Sequence, residues 1–339
     1  MKLVRNISWT GYLLVFTAFA VVSAALALSA GEFAITVFDI PKTLFSQPDS
    51  IEYLVITEIR LPRVLLGLAV GGSLGIAGVI LQGIYRNPLV EPYTLGISGG
   101  AALGVALAIV FGVSASVGAI SIPAFGFLGA VVTVSLVYLF SSWRRKVDTN
   151  QMVLVGVMVS FISTSLMLLI MALTTGQNLQ GIFFWVMGSL DVANKSMIAV
   201  AVVVAIFGLL ASYFLVHPLN ALRLGSDQAR HLGINTNLLV RILFLLASLL
   251  AGVSVAVAGV IGFVGLVVPH FTRGIVGSDF RILLVCSFLA GGGFLVLCDA
   301  LAKTVIAPSE LPIGVITGIV GGITFIAILA SKSFKNRYL

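Results

Sequence analysis

The side chains able to do chemistry are few and widely spaced in this chain of 339 residues. His217, His231 and His270 have no cysteine or acidic companion at ligand spacing, so no metal site is expected. Cys286 and Cys298 fall on one expected helix, about 18 Å apart at helical rise, too far for a disulfide. The stretches Gly71-Gly72-Ser73-Leu74-Gly75 and Gly291-Gly292-Gly293 suit close helix packing rather than a phosphate cradle. The chain has no G-x-x-x-x-G-K-[ST] loop, so it cannot hydrolyse ATP by itself. No H-E-x-x-H or paired acidic motif lies in an apolar run, which argues against an intramembrane enzyme. Almost every Asp, Glu, Lys and Arg falls at the end of an apolar run or in a connection, which leaves no deep site for a coupling proton. Sodium coupling through backbone carbonyls stays open, and so does a separate ATPase subunit as the source of energy.

The elements that carry these residues are set by composition. With 59% hydrophobic and 9% charged residues and a mean hydropathy of +1.17, a water-soluble domain would have nowhere to hide its apolar surface, whereas a helical bundle exposes it to lipid. An all-α polytopic membrane protein is expected. Apolar runs long enough to span number about ten, in rough bounds Trp9 to Ala30, Val64 to Gly83, Leu95 to Gly112, Ala124 to Ser142, Gln151 to Leu173, Ser196 to Val216, Leu238 to Ala256, Val260 to Thr272, Arg281 to Leu301 and Ile313 to Ser331. The eighth is short and suggests a broken or partial span, and Pro88 and Pro269 mark expected breaks. The net charge of +7 comes from basic residues scattered at run ends without interleaved aromatics, which excludes a nucleic-acid surface.

A short segment occurs twice. Ala77-Gly78-Val79-Ile80 returns as Ala258-Gly259-Val260-Ile261, each copy preceded by an arginine, Arg63 or Arg241, and followed by Pro88 or Pro269 at one offset. Chance similarity between two Gly/Ala/Val-rich runs is the plain alternative. The charges favour duplication: with the N-terminus cytoplasmic, Lys42, Arg60, Arg63, Lys195 and Lys303 lie outside and the other 14 of the 19 basic residues inside. The copies then lie an odd number of spans apart, which implies an inverted repeat with halves at about 60–175 and 238–331. Ala25-Leu26-Ala27 mimics a signal cleavage site, but the preceding stretch is longer than a signal h-region, so the first span is read as uncleaved. The longest inside connection, 217–241, holds glycines around Leu, Ala and charged residues at near-helical spacing; it reads either as one or two short helices for a partner's groove or as a solvated connector.

Several motifs in fixed order carry a resemblance. Arg60-Leu61-Pro62-Arg63, Gln82-Gly83, Arg86-Asn87-Pro88-Leu89, Glu91-Pro92, Leu95-Gly96 and Ser98-Gly99-Gly100-Ala101 resemble the first half of the FecCD-type permeases, membrane subunits of ATP-driven importers for iron-siderophores, haem, cobalamin and, in some members, molybdate or tungstate. The second half is similar in Gly225-x-Asp227-x-Ala229-x-x-Leu232-Gly233, in Gly262-Phe263-Val264-Gly265-Leu266-Val267-Val268-Pro269-His270, in Arg273, Gly277 and Asp299, and in Glu310-Leu311-Pro312-Ile313-Gly314. One departure is Gly321-Gly322-Ile323-Thr324-Phe325, where the family usually has a proline before the phenylalanine.

The resemblance implies a homodimer of ten-helix subunits in the bacterial or archaeal inner membrane, both termini cytoplasmic, with an iron-siderophore as the first substrate expectation. It implies two ATPase subunits that bind ATP and Mg, a periplasmic or lipid-anchored binding protein, and no cofactor on this chain. By that resemblance Arg60, Arg63 and Lys303 would dock the binding protein; the alternative is that Arg60 and Arg63 anchor the second span at the headgroups, which suits Arg63 better than both together. Leu222, Gly225, Asp227, Ala229, Arg230, Leu232 and Gly233 would couple to the ATPase, and Asn87, Pro88 and Leu89 would form a constriction or an ordinary helix-ending loop. A secondary transporter with inverted repeats is the alternative outside this family, with an intramembrane enzyme behind it.

The topology is directly testable. Cysteine introduced as Ser226→Cys should react with a membrane-impermeant maleimide only from the cytoplasmic side, and Ser309→Cys only from outside; the reverse pattern overturns the orientation.

Overall fold

The computed structural model describes residues 8–31, 35–46, 50–113, 118, 120–142, 149–191 and 194–330. The terminal basic residues and the cluster Arg144, Arg145 and Lys146, which the charge argument used, lie outside them.

All ten expected runs are helical: α1 Trp9–Ser29, α4 Leu61–Tyr85, α5 Ile97–Val110, α6 Ser121–Ser142, α7 Thr149–Leu173, α9 Lys195–Phe214, α12 Thr236–Ala258, α13 Val264–Val276, α14 Phe280–Thr304 and α15 Ile313–Ala330. Among the described residues seven helices are long and apolar enough to cross a membrane, and α5, α13 and α15 are shorter apolar helices. A chain in lipid must satisfy its backbone polar groups internally, and helices do this within one segment. Shorter helices fill the connections: α2 Asp39–Ser46, α3 Ile51–Leu54, α8 Gly176–Met187, α10 Val216–Leu222 and α11 Ser226–His231. A π-helical stretch Val55–Arg60 joins α3 to α4, so the second span is one unbroken helix over Ile51–Tyr85 rather than a loop followed by a span.

The core is built around α4, which is buried on nearly all sides against α14, α12, α9 and α13. Glycines make this possible. A methyl built on Gly71 would collide with the Gly291 carbonyl, one on Gly291 with the Gly71 carbonyl, and one on Gly78 with the Gly265 carbonyl. Gly100 of α5 and Gly129 of α6 meet in the same way. Between helices in lipid, where no hydrophobic effect presses surfaces together, such backbone approach maximises dispersion contact. The packing is reciprocal: α4 lies on α13 and α14 of the second half, while α12 lies on α5 and α6 of the first.

The repeated tetrapeptide does not occupy equivalent places. Ala77–Ile80 is interior to α4, whereas Ala258 ends α12 and Gly259 turns the chain at φ 72°. The break expected at Pro269 is also displaced: α13 runs through that proline, and the chain breaks at residues 259–263, where Gly259 and Phe263 have positive φ. Gly78 packs against Pro269 Cγ, so the proline serves the α4 contact. The departure at 321–325 leaves α15 helical throughout.

Gly71→Val should drive α4 off α14 and destabilise the protein by about 3 kcal/mol or more, at or beyond the upper range for overpacking. Gly274→Ala, which meets open space, should leave the detergent-solubilised midpoint unchanged or slightly raised. Equal midpoints for the two variants would contradict the packing account.

Candidate functional site

The charged residues gather at the two ends of α4, separated by about 35 Å at helical rise. At the first end Arg63, on the opening turn of α4, meets the C-terminal part of α14 and the connection to α15. Its Nε donates to both Asp299 oxygens at 3.0 Å, and its two terminal nitrogens reach Glu310 at 3.3 and 2.9 Å. Lys303 reaches the other side of Asp299 at 3.0 Å. Two cations and two carboxylates form a balanced group in which Asp299 is 2% exposed. The planar guanidinium suits this, because it serves two carboxylates at once. One turn away, Arg60 donates to the Leu28 carbonyl at 2.6 Å and so ties α1 to the head of α4.

Arg60 and Arg63 are buried, Lys303 is partly buried, and all three are engaged within the chain. Asp299 and Glu310 appeared in the sequence only as motif residues. The four-residue spacing of Asp299 and Lys303 on one helix was the available signal for their pairing; Arg63 is 236 positions from Asp299, and no local rule joins them.

At the other end α4 stops at Arg86, in left-handed conformation at φ 48°. Asn87 caps the turn, its Oδ1 accepting from the Leu89 amide at 2.9 Å; Leu89 is half exposed. Glu91 then accepts from the backbone N–H of Phe263, which precedes α13 and has no side-chain cap of its own. A carboxylate at a helix N-terminus is favoured by the helix dipole, and burial raises the Glu91 pKa against that hydrogen bond. The break after α4 and the break before α13 therefore hold one another, a link with no spacing signature.

The connection expected at 217–241 is two short helices, α10 and α11, and its last residues already belong to α12. Gly225 and Gly233 have φ of 123° and 81°, which explains glycine at both turns. Leu222 and Ala229 are buried and shape the segment from within instead of facing outward. Leu224 and Leu232 expose 62% and 64% of their surface, beside an exposed Asp227 and a half-exposed Arg230. Asn220 binds the segment to the head of α14, donating to Asp279 at 3.0 Å and accepting from the Phe280 amide at 3.2 Å. Partial burial opposes the Asp279 charge, but the Arg281 amide, Asn220 and the nearby Arg281 and Arg223 outweigh it and lower the pKa. Among the described residues no group of three or more His, Cys, Asp or Glu could hold a metal.

The model of the FecCD transport family matches residues 19–331. The chain belongs to the FecCD transport family. Among curated relatives, the uncharacterized ABC transporter permease protein YvrB of Bacillus subtilis is 36% identical, covering 99% of this chain and 97% of its own. The hemin transport system permease HmuU of Yersinia pestis is 38% identical, over 80% of this chain and 82% of that protein. A solved metal-chelate type ABC transporter in an inward-facing conformation superposes with a TM-score of 0.82 at 30% identity, covering 95% of this chain and 99% of that one. The protein is thus a multi-pass membrane permease and a transport component.

Asp299→Asn should leave Arg63 and Lys303 buried with one carboxylate between them and cost about 3 to 5 kcal/mol. Glu310→Gln, at a half-exposed position, should cost about 1 kcal/mol or less. Thermal unfolding in detergent checks this, and a smaller loss for Asp299→Asn than for Glu310→Gln would refute the arrangement.

Proposed function

We propose that this chain is the transmembrane subunit of a binding-protein-dependent ABC importer that moves a metal chelate, an iron-siderophore first among the candidates, by alternating access. The observation that carries the reading is the family match over residues 19–331. It is supported by a layout with a charged, partner-facing feature at each end of one buried helix.

In this reading two copies form the pathway. Helix α7 suits that interface: only 17% of its apolar window is buried within the chain, and Phe161, Ile162 and Leu166 are exposed. The halves at about 60–175 and 238–331 act as an inverted pair, a reading supported by the reciprocal packing of α4 and α12. Both termini are cytoplasmic. The Arg63, Asp299, Lys303 and Glu310 group faces the binding protein, with Glu310 as its exposed rim and Arg60 bracing α1 beside it. Asn87, Pro88 and Leu89 narrow the cytoplasmic mouth.

ATP and Mg act on two separate ATPase subunits, reached through α10 and α11. Leu224 and Leu232 are the apolar contacts, Asp227 and Arg230 set orientation, and Leu222, Ala229, Gly225 and Gly233 keep the pair of helices rigid. The permease contacts its cargo weakly, so the chelate is chosen by the binding protein.

Leu232→Asp places a charge on the exposed rim without touching the buried core. Co-purification with the cognate ATPase should weaken by tenfold or more, about 1.4 kcal/mol, and uptake should fall with it while insertion stays normal. Parental co-purification and parental uptake would mean that this segment is only a connector.

A further inference from the structure

Helices α6 and α12 come from the first and second halves of the chain and meet along a groove. A cavity of about 150 Å³ between them is lined by Phe127, Val131 and Val134 of α6 and by Leu245, Leu249 and Gly252 of α12. Phe127 and Leu249 also line a second cavity of about 520 Å³, which continues along the same two helices and reaches α9. The two cavities are therefore parts of one groove. Val131, Leu245 and Val200 on its walls are exposed, as suits a surface that meets hydrocarbon.

One end of the groove carries charge. Tyr138 follows Val134 by four residues and Arg241 precedes Leu245 by four, so each continues the groove-lining face of its helix. The Arg241 guanidinium stands 5.5 Å over the Tyr138 ring, and that ring is stacked on Phe244 at 6.5 Å, which braces the cation at the groove's mouth. Arg241 is exposed and lies on the second turn of α12, about 8 Å inside the helix at helical rise. Among the described residues no carboxylate forms an ion pair with it. A cation on the outer surface of a spanning helix is costly at that depth unless it reaches an anion near the headgroups. Just beyond Ser142, where α6 ends, the sequence adds Arg144, Arg145 and Lys146 against a single Asp148. Basic residues gathered at a span end attract anionic lipid.

We propose that the groove between α6 and α12 holds an acyl chain of an anionic phospholipid whose phosphate pairs with Arg241. The lengths agree: Gly252 lies about 16 Å from Arg241 along α12, half of the roughly 30 Å hydrocarbon core. A chain headed at Arg241 therefore fills the narrower cavity within one leaflet. Free phosphate would satisfy the arginine and leave the groove empty, whereas a zwitterionic lipid would fill the groove and bring a phosphate already balanced by its own cation. The bound lipid lies along the seam between the two halves.

The test uses the full-length protein in detergent, with lipid retention measured by native mass spectrometry. Dioleoylphosphatidylglycerol should be held at least tenfold more tightly than either dioleoylphosphatidylcholine or the short-chain dihexanoylphosphatidylglycerol. Arg241→Gln should remove the preference for the glycerol headgroup. Ser135→Trp, at an exposed position that lines the narrower cavity, should weaken retention of the dioleoyl lipid tenfold or more by obstructing the groove. Arg281→Gln, an exposed arginine at the head of α14, should leave retention at the parental level. The proposal is overturned if the two dioleoyl lipids are held alike, if the preference survives Arg241→Gln, or if Ser135→Trp changes nothing. Equal retention of the short-chain lipid, or an equal loss with Arg281→Gln, would reduce the effect to surface charge and overturn it as well. Disulfide cross-linking between copies through Ser135→Cys would place a second copy on the groove, with the same consequence.

Discussion

The backbone of α4 touching the backbones of α13 and α14 is the contact on which the rest of the molecule depends. Gly71 against Gly291 and Gly78 against Gly265 leave no room for a single methyl group. Because these contacts lie along one helix, they fix the two ends of α4 relative to the second half of the chain. Arg63 can reach Asp299 and Glu310 only because α4 and α14 lie this close. The turn after α4 can meet the start of α13 for the same reason, through Glu91 and Phe263 and through Pro92 against Gly265. The result is a stiff centre with charged groups held at both of its ends.

The span pattern was legible because hydrophobicity is a property of each residue and its neighbours in the chain. Ten apolar runs gave ten helices, with the eighth correctly short at Val264–Val276. Elements whose form depends on partners were not legible. Helix α8, Gly176–Met187, carries polar residues and is too short to announce itself as a span. Proline at 269 looked like a break because a proline disfavours the helix around it; the surrounding bundle overrides that preference, and the break moves to the glycine at 259. Four identical residues at 77–80 and 258–261 pointed to duplication, yet they form a helix interior in one place and a helix end in the other.

The candidate site divides along the same line. Gly225 and Gly233 were readable as turns, since glycine alone adopts their conformation without strain. Burial was not readable: Arg63 and Lys303 pair with Asp299 within the chain, while Leu222 and Ala229 are buried beneath the α10–α11 segment. Glu310, Leu224 and Leu232 are the exposed members of these two groups. A buried ion group is costly to form and costlier to break, so its presence at one end of the core marks that end as a place where a defined arrangement of charge matters.

The central claim is that this chain moves its cargo only when a separate ATPase drives it. The most direct measurement is accumulation of a radiolabelled iron-siderophore by proteoliposomes containing the permease, its cognate ATPase and its binding protein. The account predicts accumulation that requires ATP on the ATPase side and stays absent under an imposed sodium or proton gradient alone. Accumulation by the permease without the ATPase, driven by such a gradient, would contradict it.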